Sequence, residues 1–210
     1  MCSSDLSGDQ SALSEAWFRL GEAEPVRFTF EDRLRNEAAQ SIVDLRDRHI
    51  ESEMLTGDRR APAERIARSV GLNPWRAEMT PADKISRLSE LSAKGAKTAM
   101  VGDGLNDAPA LSAAHASLSP GTAADASQAA ADFVFQGDSL RSVVTAYDIS
   151  VQARRRVLEN FAFAALYNVC AIPLAVFGFV TPLIAALAMS GSSVVVTLNA
   201  LRIRNAKENA

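Results

Sequence analysis

The stretch "MVGDGLNDAPAL" (residues 100–111) places two glycines, an asparagine and two aspartates directly behind a short apolar run that starts at Thr98. Asp103 and Asp107 offer hard carboxylate oxygens, which Mg²⁺ binds together with water and phosphate oxygens. Asn106 can hydrogen-bond without adding charge, and the glycines let the backbone turn sharply and approach an anion. The stretch therefore predicts a buried strand that ends in a loop suited to Mg²⁺ and phosphate.

Apolar runs alternate with amphipathic helical patterns around this stretch, which predicts a mostly parallel sheet with helices on its faces. Residues 53–58 ("EMLTGD") are expected to form a strand that ends in a polar turn, and a helix is expected over 62–72. A helix over 80–95 would begin with Thr80 as its cap and Pro81 in its first turn. The other elements expected are a helix at 108–115, a strand at 116–118, a helix at 122–131, a strand at 132–135 and a long helix from Ser139.

Two loops are expected to meet at one edge of this sheet, because ligands of open parallel sheets bind where loops leave the carboxyl ends of the strands. They are "TGD" (56–58) and "GDGLND" (102–107). Thr56 can donate a hydrogen bond to a phosphate oxygen, and Lys84, near a helix N-terminus, can neutralise another. Singly, these features have ordinary interpretations as a turn, a solvated helix residue and a loop. Their order on successive strand ends favours a site for phosphoryl transfer.

The C-terminal part of the chain has a different composition, since residues 161–201 contain no Asp, Glu, Lys or Arg. They divide into two apolar segments, 161–180 and 182–201, each of roughly the 20 residues that a helix needs to cross a hydrocarbon core. Basic residues flank both outer ends, which the positive-inside rule places in the cytoplasm. A buried hairpin of a soluble protein is the alternative, and the lengths and flanks favour the membrane.

The overall composition excludes some classes of function. The formal net charge is -3, and no basic patch is interleaved with aromatic residues, so nucleic acid is not an expected partner. Cys2 and Cys170 form neither a disulfide framework nor a metal-binding motif. No secretory signal pattern opens the sequence. The charged part is therefore expected on the reducing, cytoplasmic side of a membrane.

Three motifs carry a resemblance to a known family. In this order, "MLTGD", "TPADK" and "MVGDGLNDAPAL", followed by a membrane hairpin, resemble the phosphorylation domain of P-type ATPases, which has an α/β haloacid-dehalogenase-like fold. The resemblance implies ATP as the substrate, with Asp103 and Asp107 holding Mg²⁺. The catalytic residues that it implies are Thr56, Gly57, Asp58, Lys84 and Asn106.

Upstream, "FTFEDRLR" (28–35) resembles the segment where the nucleotide-binding domain of these pumps returns to the phosphorylation domain. Asp32 and Arg35 match its D-x-L-R pattern and, with Asp58, are the nucleotide contacts that the resemblance implies. Asn36 and Glu37 replace the commoner Pro-Asp. The resemblance divides the chain into a stub with the end of a nucleotide-binding domain (1–27), the C-terminal part of a phosphorylation domain (28–150), and a transmembrane hairpin with a cytoplasmic tail (151–210).

Other motifs of the family are missing from these residues. The "DKTGT" whose aspartate accepts the phosphate does not occur, and neither do the "TGE", "HP" and "CPC"-like motifs. The chain is therefore expected to be a C-terminal fragment of a pump that cannot form the aspartyl-phosphate alone. The alternatives are a membrane-anchored phosphatase of the same fold with its aspartate from elsewhere, and a non-catalytic remnant that binds Mg²⁺ or regulates a full-length pump.

Polar residues within the apolar segments suggest the transported ion, because polar groups in a bilayer are costly. Met189 and Ser193 stand four apart on one helical face, and Tyr167 and Asn168 lie in the preceding segment. A thioether selects Cu⁺, and neither segment holds a carboxylate to compensate a divalent ion, although Met189 could also be ordinary packing.

This pattern, with Asn160, resembles the copper-transporting branch of the heavy-metal pumps. Residues 118–140 further resemble the copper pumps that serve assembly of cbb3-type cytochrome oxidases. The resemblance implies a bacterial cytoplasmic membrane, and its candidate partners are the transported ion, membrane lipid and a copper chaperone.

Overall fold

The computed structural model describes residues 14–30, 34, 37–137 and 139–202 of the chain. The chain divides into two compact units, with the division between Val144 and Thr145. The strands are β1 (Ser14–Phe18), β2 (Val26–Phe30), β3 (Met54–Leu55), β4 (Trp75–Arg76), β5 (Ala99–Val101), β6 (Ala116–Pro120) and β7 (Phe133–Phe135). The helices are α1 (Ala38–Asp47), α2 (Arg60–Val70), α3 (Pro81–Ala93), α4 (Ala108–Ala113), α5 (Asp125–Ala130), α6 (Arg141–Val176) and α7 (Pro182–Leu201).

Parallel strands joined by helices make up the centre of the first unit, which confirms the predicted α/β fold. Strands β3 and β4 form one parallel pair, with Met54 opposite Trp75. Strands β5, β6 and β7 form a parallel sheet in that order, with Met100 opposite Ser117. Strand β4 was not predicted, because its two residues are too few to show a period of hydrophobicity.

An antiparallel hairpin of β1 and β2 precedes these sheets, with Trp17 opposite Arg27. The Arg27 guanidinium lies over the Trp17 ring, 5.9 Å from its centroid. Strand β2 contains the start of the "FTFEDRLR" segment. Asp32 and Arg35 lie outside the described residues, so their nucleotide contacts remain a prediction.

Helix α3 begins as the sequence predicts. The Thr80 side chain accepts a hydrogen bond from the Asp83 backbone N–H, and the Asp83 carboxylate accepts one from the Thr80 N–H at 2.9 Å. This capping box, with Pro81 in the first turn, fixes the start of the helix. Beyond the last turn, Gly95 adopts a left-handed φ of +82°, which costs little without a Cβ.

The apolar side of α3 packs into the core of the first unit. Leu88 clusters with Met100 of β5 and with Ala110 and Leu111 of α4, and Ile85 packs against this cluster. Burial of such side chains stabilises a fold by about 25 cal/mol per Å² of apolar surface. The packing therefore fixes α3 against the sheet formed by β5, β6 and β7.

Helices α6 and α7 form most of the second unit and are long and apolar enough to cross a membrane. Their mean hydropathy reaches 1.5 and 1.7, respectively. Thr181 caps α7 by accepting a hydrogen bond from the Ile184 N–H, and Gly178 adopts a left-handed φ of +79° in the turn. The Asn199 side-chain amide donates to the Asn160 side-chain oxygen at 2.9 Å, which links the two helices. The predicted pair of apolar helices is confirmed.

Candidate active site

The loop between β5 and α4 folds tightly back on itself. The buried Gly102 donates its N–H to the Leu118 carbonyl of β6 at 3.2 Å, and the Asp107 N–H donates to the Gly104 carbonyl at 2.9 Å. A Cβ added to Gly102 would lie 2.8 Å from the Asp107 Cβ. The glycine is therefore required because the Asp107 side chain lies directly against it.

Asp107 and Lys84 form the central contact of the site. The Lys84 Nζ lies 2.6 Å from the Asp107 Oδ1, and the two side chains are only 10% and 16% exposed. Charges this poorly solvated need a partner, because removing either one leaves the other desolvated and unpaired. The structure thus brings together a lysine of α3 and an aspartate from the loop after β5, 23 residues apart in the sequence.

The "TGD" loop after β3 is closed by hydrogen bonds of its own. The Thr56 hydroxyl donates to the Asp58 carboxylate at 2.9 Å and accepts from the Asp58 N–H at 3.1 Å. Backbone bonds connect the loop to the segment before α3, from the Met79 N–H to the Thr56 carbonyl at 3.0 Å and from the Glu78 N–H to the Asp58 carbonyl at 2.9 Å. A Cβ on Gly57 would lie 3.4 Å from the Met79 carbonyl oxygen. The loop is therefore held beside the entry to the helix that carries Lys84.

Asp103 and Asn106 are exposed residues of the "GDGLND" loop. The backbone carbonyl of Asp103 accepts a hydrogen bond from the Ala124 N–H at 3.2 Å. No group of three or more His, Cys, Asp or Glu side chains that could hold a metal occurs among the residues that the structure describes. Two carboxylates on one loop nevertheless fit Mg²⁺, which commonly takes one or two protein carboxylates and completes its shell with water and phosphate oxygens.

A model of the haloacid dehalogenase-like hydrolase family matches residues 5–115 of the 210 in the chain. The chain belongs to the haloacid dehalogenase-like hydrolase family. It is 50% identical over 82% of its length to the nitrogen fixation protein FixI of Bradyrhizobium diazoefficiens, of which it covers 24%. It is also 42% identical over 84% of its length to a copper-exporting P-type ATPase of Staphylococcus epidermidis, of which it covers 22%.

Among solved structures, a zinc-transporting PIB-type ATPase in the E2.Pi state matches with a TM-score of 0.78 and 31% identity. The match covers 85% of this chain and 30% of that one. The chain thus spans about a quarter of the length of the curated relatives it matches. These matches confirm the resemblance of this haloacid dehalogenase-like chain to the C-terminal part of heavy-metal P-type ATPases.

Sequence reasoning missed a residue that supports the loop of this haloacid dehalogenase-like site. The Ser127 hydroxyl of α5 is fully buried and donates to the Gly104 carbonyl. It therefore satisfies a loop carbonyl directly between the two candidate Mg²⁺ ligands. No motif marks this serine, and a small polar residue in an alanine-rich helix was its only signal.

The proposed copper ligands lie on the two apolar helices. Tyr167 and Asn168 are on α6, and Met189 and Ser193 are on α7, where the Ser193 hydroxyl donates to the Met189 carbonyl at 3.1 Å. Met189 is 72% exposed. In the part of the chain that the structure describes, no hydrogen bond joins Tyr167 or Asn168 to Met189 or Ser193. The role of these four residues as copper ligands remains a prediction.

Proposed function

We propose that the chain is the C-terminal part of an ATP-driven, Cu⁺-translocating P-type ATPase of a bacterial cytoplasmic membrane. In this proposal it supplies the Mg²⁺- and phosphate-binding half of the phosphorylation site and the last two membrane helices. The observation that carries the proposal is the poorly solvated contact between Lys84 and Asp107, which joins two of the three family motifs. The P-type ATPases among the relatives support it.

The phosphoryl site follows from the chemistry of the residues at the loop ends. Asp103 and Asp107 would hold Mg²⁺, which neutralises charge on a transferred phosphoryl group. Lys84 Nζ would neutralise a phosphate oxygen, and the Thr56 hydroxyl would turn from Asp58 to donate to another. Asn106 would support the same loop without adding charge. These groups position and stabilise the phosphoryl group, and none of them is its covalent acceptor.

The acceptor aspartate would come from a strand outside this sequence. In the described part of the chain, β3 pairs only with β4 and β5 pairs only with β6. β3 and β5 therefore each have one edge with unpaired backbone groups, and this edge can accept a further strand. A parallel strand between β3 and β5 would carry its C-terminal aspartate to the edge where the "TGD" and "GDGLND" loops lie. By itself the chain would not hydrolyse ATP.

Copper rather than zinc is proposed as the transported ion because of the donor set. Neither apolar segment contains a carboxylate, and the thioether of Met189 is a soft ligand. Tyr167, Asn168 and Ser193 add neutral oxygen atoms, which suit a monovalent ion. The copper-exporting relative supports this assignment, whereas the similarity to a zinc-transporting structure favours zinc. A test must therefore distinguish Cu⁺ from Zn²⁺ as the transported ion. The same proposal includes a copper chaperone as the ion donor. It also includes a role in supplying copper for the assembly of cbb3-type oxidases.

Substitution of Met189 in the complete pump tests the ion assignment. Met189→Leu conserves volume and removes the sulfur, so it should lower Cu⁺ binding and Cu⁺-stimulated turnover while phosphorylation by inorganic phosphate persists. Leu187→Ala, on the same helix, is the control that removes apolar volume without removing a ligand. Stoichiometric, high-affinity Cu⁺ binding by Met189→Leu would refute the ligand role, and turnover stimulated by Zn²⁺ rather than Cu⁺ would refute the ion.

A further inference from the structure

The candidate site has two halves, which follow two separate sheet pieces: the β3–β4 pair and the β5–β6–β7 sheet. No strand pairing joins these two sheet pieces among the described residues. Thr56 follows β3, which pairs with β4, whereas Asp107 follows β5, which pairs with β6. A continuous ladder of hydrogen bonds would fix the spacing of two strand ends, but none joins these two. Within this chain, α3 connects the two pieces, because Lys84 contacts Asp107 after β5 and Arg87 contacts Glu53 before β3.

A cluster of charged side chains ties α3 to the start of β3. The Arg87 Nη2 lies 2.9 Å from the Glu53 Oε2, and the Arg87 Nε lies 3.1 and 3.2 Å from the two Glu53 oxygens. Arg76 of β4 adds a third donor, with its Nε 2.8 Å from the Glu53 Oε1. Such forked contacts between guanidinium and carboxylate fix direction as well as distance. Glu53 thus contacts both β4 and α3 through its carboxylate, directly before β3, which Thr56 follows.

The burial of this contact distinguishes it from a surface ion pair. The side chains of Arg87 and Glu53 are 14% and 15% exposed, whereas the Arg68 and Glu64 side chains of the pair on α2 are 78% and 38% exposed. Exposed pairs of the second kind contribute little to stability. Burial raises the pKa of Glu53, but hydrogen bonds from Arg87 and Arg76 outweigh it and hold the pKa below its ordinary value.

One turn of α3 therefore carries two connections. Lys84 and Arg87 are three residues apart, a spacing that places side chains next to each other on a helix surface. Lys84 contacts Asp107 beyond β5, and Arg87 contacts Glu53 before β3. A shift of α3 against β3 would move Lys84 away from Thr56 without breaking any strand pairing.

We propose that Glu53 and Arg87 are positioning residues, which fix α3 against β3 and thereby set the spacing between Thr56 and Lys84. That this spacing serves to grip a phosphoryl group rests on the proposed function. The alignment of the two sheet pieces does not rest on it. Neither residue lies in the motifs "MLTGD", "TPADK" or "MVGDGLNDAPAL".

Distance measurement between spin labels tests the alignment in the full chain, reconstituted in lipid nanodiscs. Labels at Ser69→Cys on α2 and Ser112→Cys on α4 report on the two pieces, in a background of Cys2→Ser and Cys170→Ser. Glu53→Gln should roughly double the width of the distance distribution, because the neutral amide keeps one acceptor oxygen but loses the charge and the forked contact with Arg87. Glu64→Gln, which removes the exposed pair on α2, should leave the width unchanged.

Arg87→Lys keeps the positive charge but loses the forked contact with Glu53, so it should give a distance distribution of intermediate width. This variant keeps the test informative if Glu53→Gln does not fold. An unchanged distribution in a folded Glu53→Gln or Arg87→Lys would overturn the positioning role. The complete pump adds a readout of the chemistry: Glu53→Gln should raise the half-saturating concentration of inorganic phosphate for phosphorylation about tenfold, while Glu64→Gln should not. A wild-type pump that inorganic phosphate does not phosphorylate would refute the proposed function, and the label distances would still decide the positioning role.

Discussion

Gly102→Ala is expected to disrupt the loop after β5 through one defined contact. The new Cβ would lie 2.8 Å from the Asp107 Cβ and 3.3 Å from both the Cγ and the Oδ2 of the same side chain. The new Cβ is fixed to the backbone and cannot rotate away. The backbone of Asp107 must therefore shift together with its side chain. Because the Asp107 Oδ1 is 2.6 Å from the Lys84 Nζ, this movement also breaks the central contact of the site.

The size of the effect follows from overpacking and from the ion pair. Forcing an extra methyl group into a packed site costs about 1–3 kcal/mol, and we expect about 2 kcal/mol here. For a unit of this size, such a loss lowers the midpoint of thermal unfolding by about 6 °C. Loss of the Lys84 contact should also increase the rate at which an amine reagent labels this lysine.

Gly104→Ala is the matched control in the same loop. Its Cβ would lie 3.5 Å from the Asp107 Oδ2, an ordinary contact, and its backbone angles of -94° and 151° suit alanine. We expect a change below about 0.5 kcal/mol in the free energy of unfolding. Thermal unfolding and lysine labelling of both variants in the same detergent make the comparison. Equal unfolding midpoints for Gly102→Ala and Gly104→Ala would refute the close packing of Asp107 on Gly102.

Two further predictions concern α3 and its connection to β3. Thr80→Ala should lower the free energy of unfolding by about 1 kcal/mol because the capping box with Asp83 is lost, whereas Thr80→Ser should retain most of it; denaturant unfolding measures both, and equal losses would contradict the cap. Glu53 has a folded-state pKa below its ordinary 4.5, so its stabilising effect is present above pH 4.5 and is lost as the pH falls through the folded value. The difference in unfolding midpoint between wild type and Glu53→Gln should therefore shrink on acidification, and a constant difference would contradict the role of the Glu53 charge.

The sequence predicted elements that have strong local signals. Helix α3 was recognisable from Thr80 and Pro81 at its start and from Gly95 after its end, and these residues act through local backbone geometry. Strand β4 has no such signal, since its two residues become a strand only by pairing with β3. The sequence also did not show which strands pair, because periodicity indicates strands but not their partners.

The same distinction applies to the site. Lys84 and Asp107 were recognised through motifs, and their contact follows from the order of strands and helices. Glu53, Arg87 and Ser127 were not recognised, because each acts through a partner that is distant in the sequence: Arg87 is 34 residues from Glu53, and Ser127 is 23 residues from Gly104. A charged residue next to a strand is common, and only packing shows which one is buried against an arginine.

Formation of the aspartyl-phosphate by the complete pump tests the central claim most directly. The longer polypeptide that contains this chain should incorporate phosphate from radiolabelled ATP into an acid-stable, hydroxylamine-sensitive bond, only with Mg²⁺ and Cu⁺ present. Asp107→Asn should abolish this incorporation, because it removes a carboxylate from the Mg²⁺ site and from Lys84. Normal phosphoenzyme levels in Asp107→Asn at saturating Mg²⁺, or acyl-phosphate formation by this chain alone, would contradict the account.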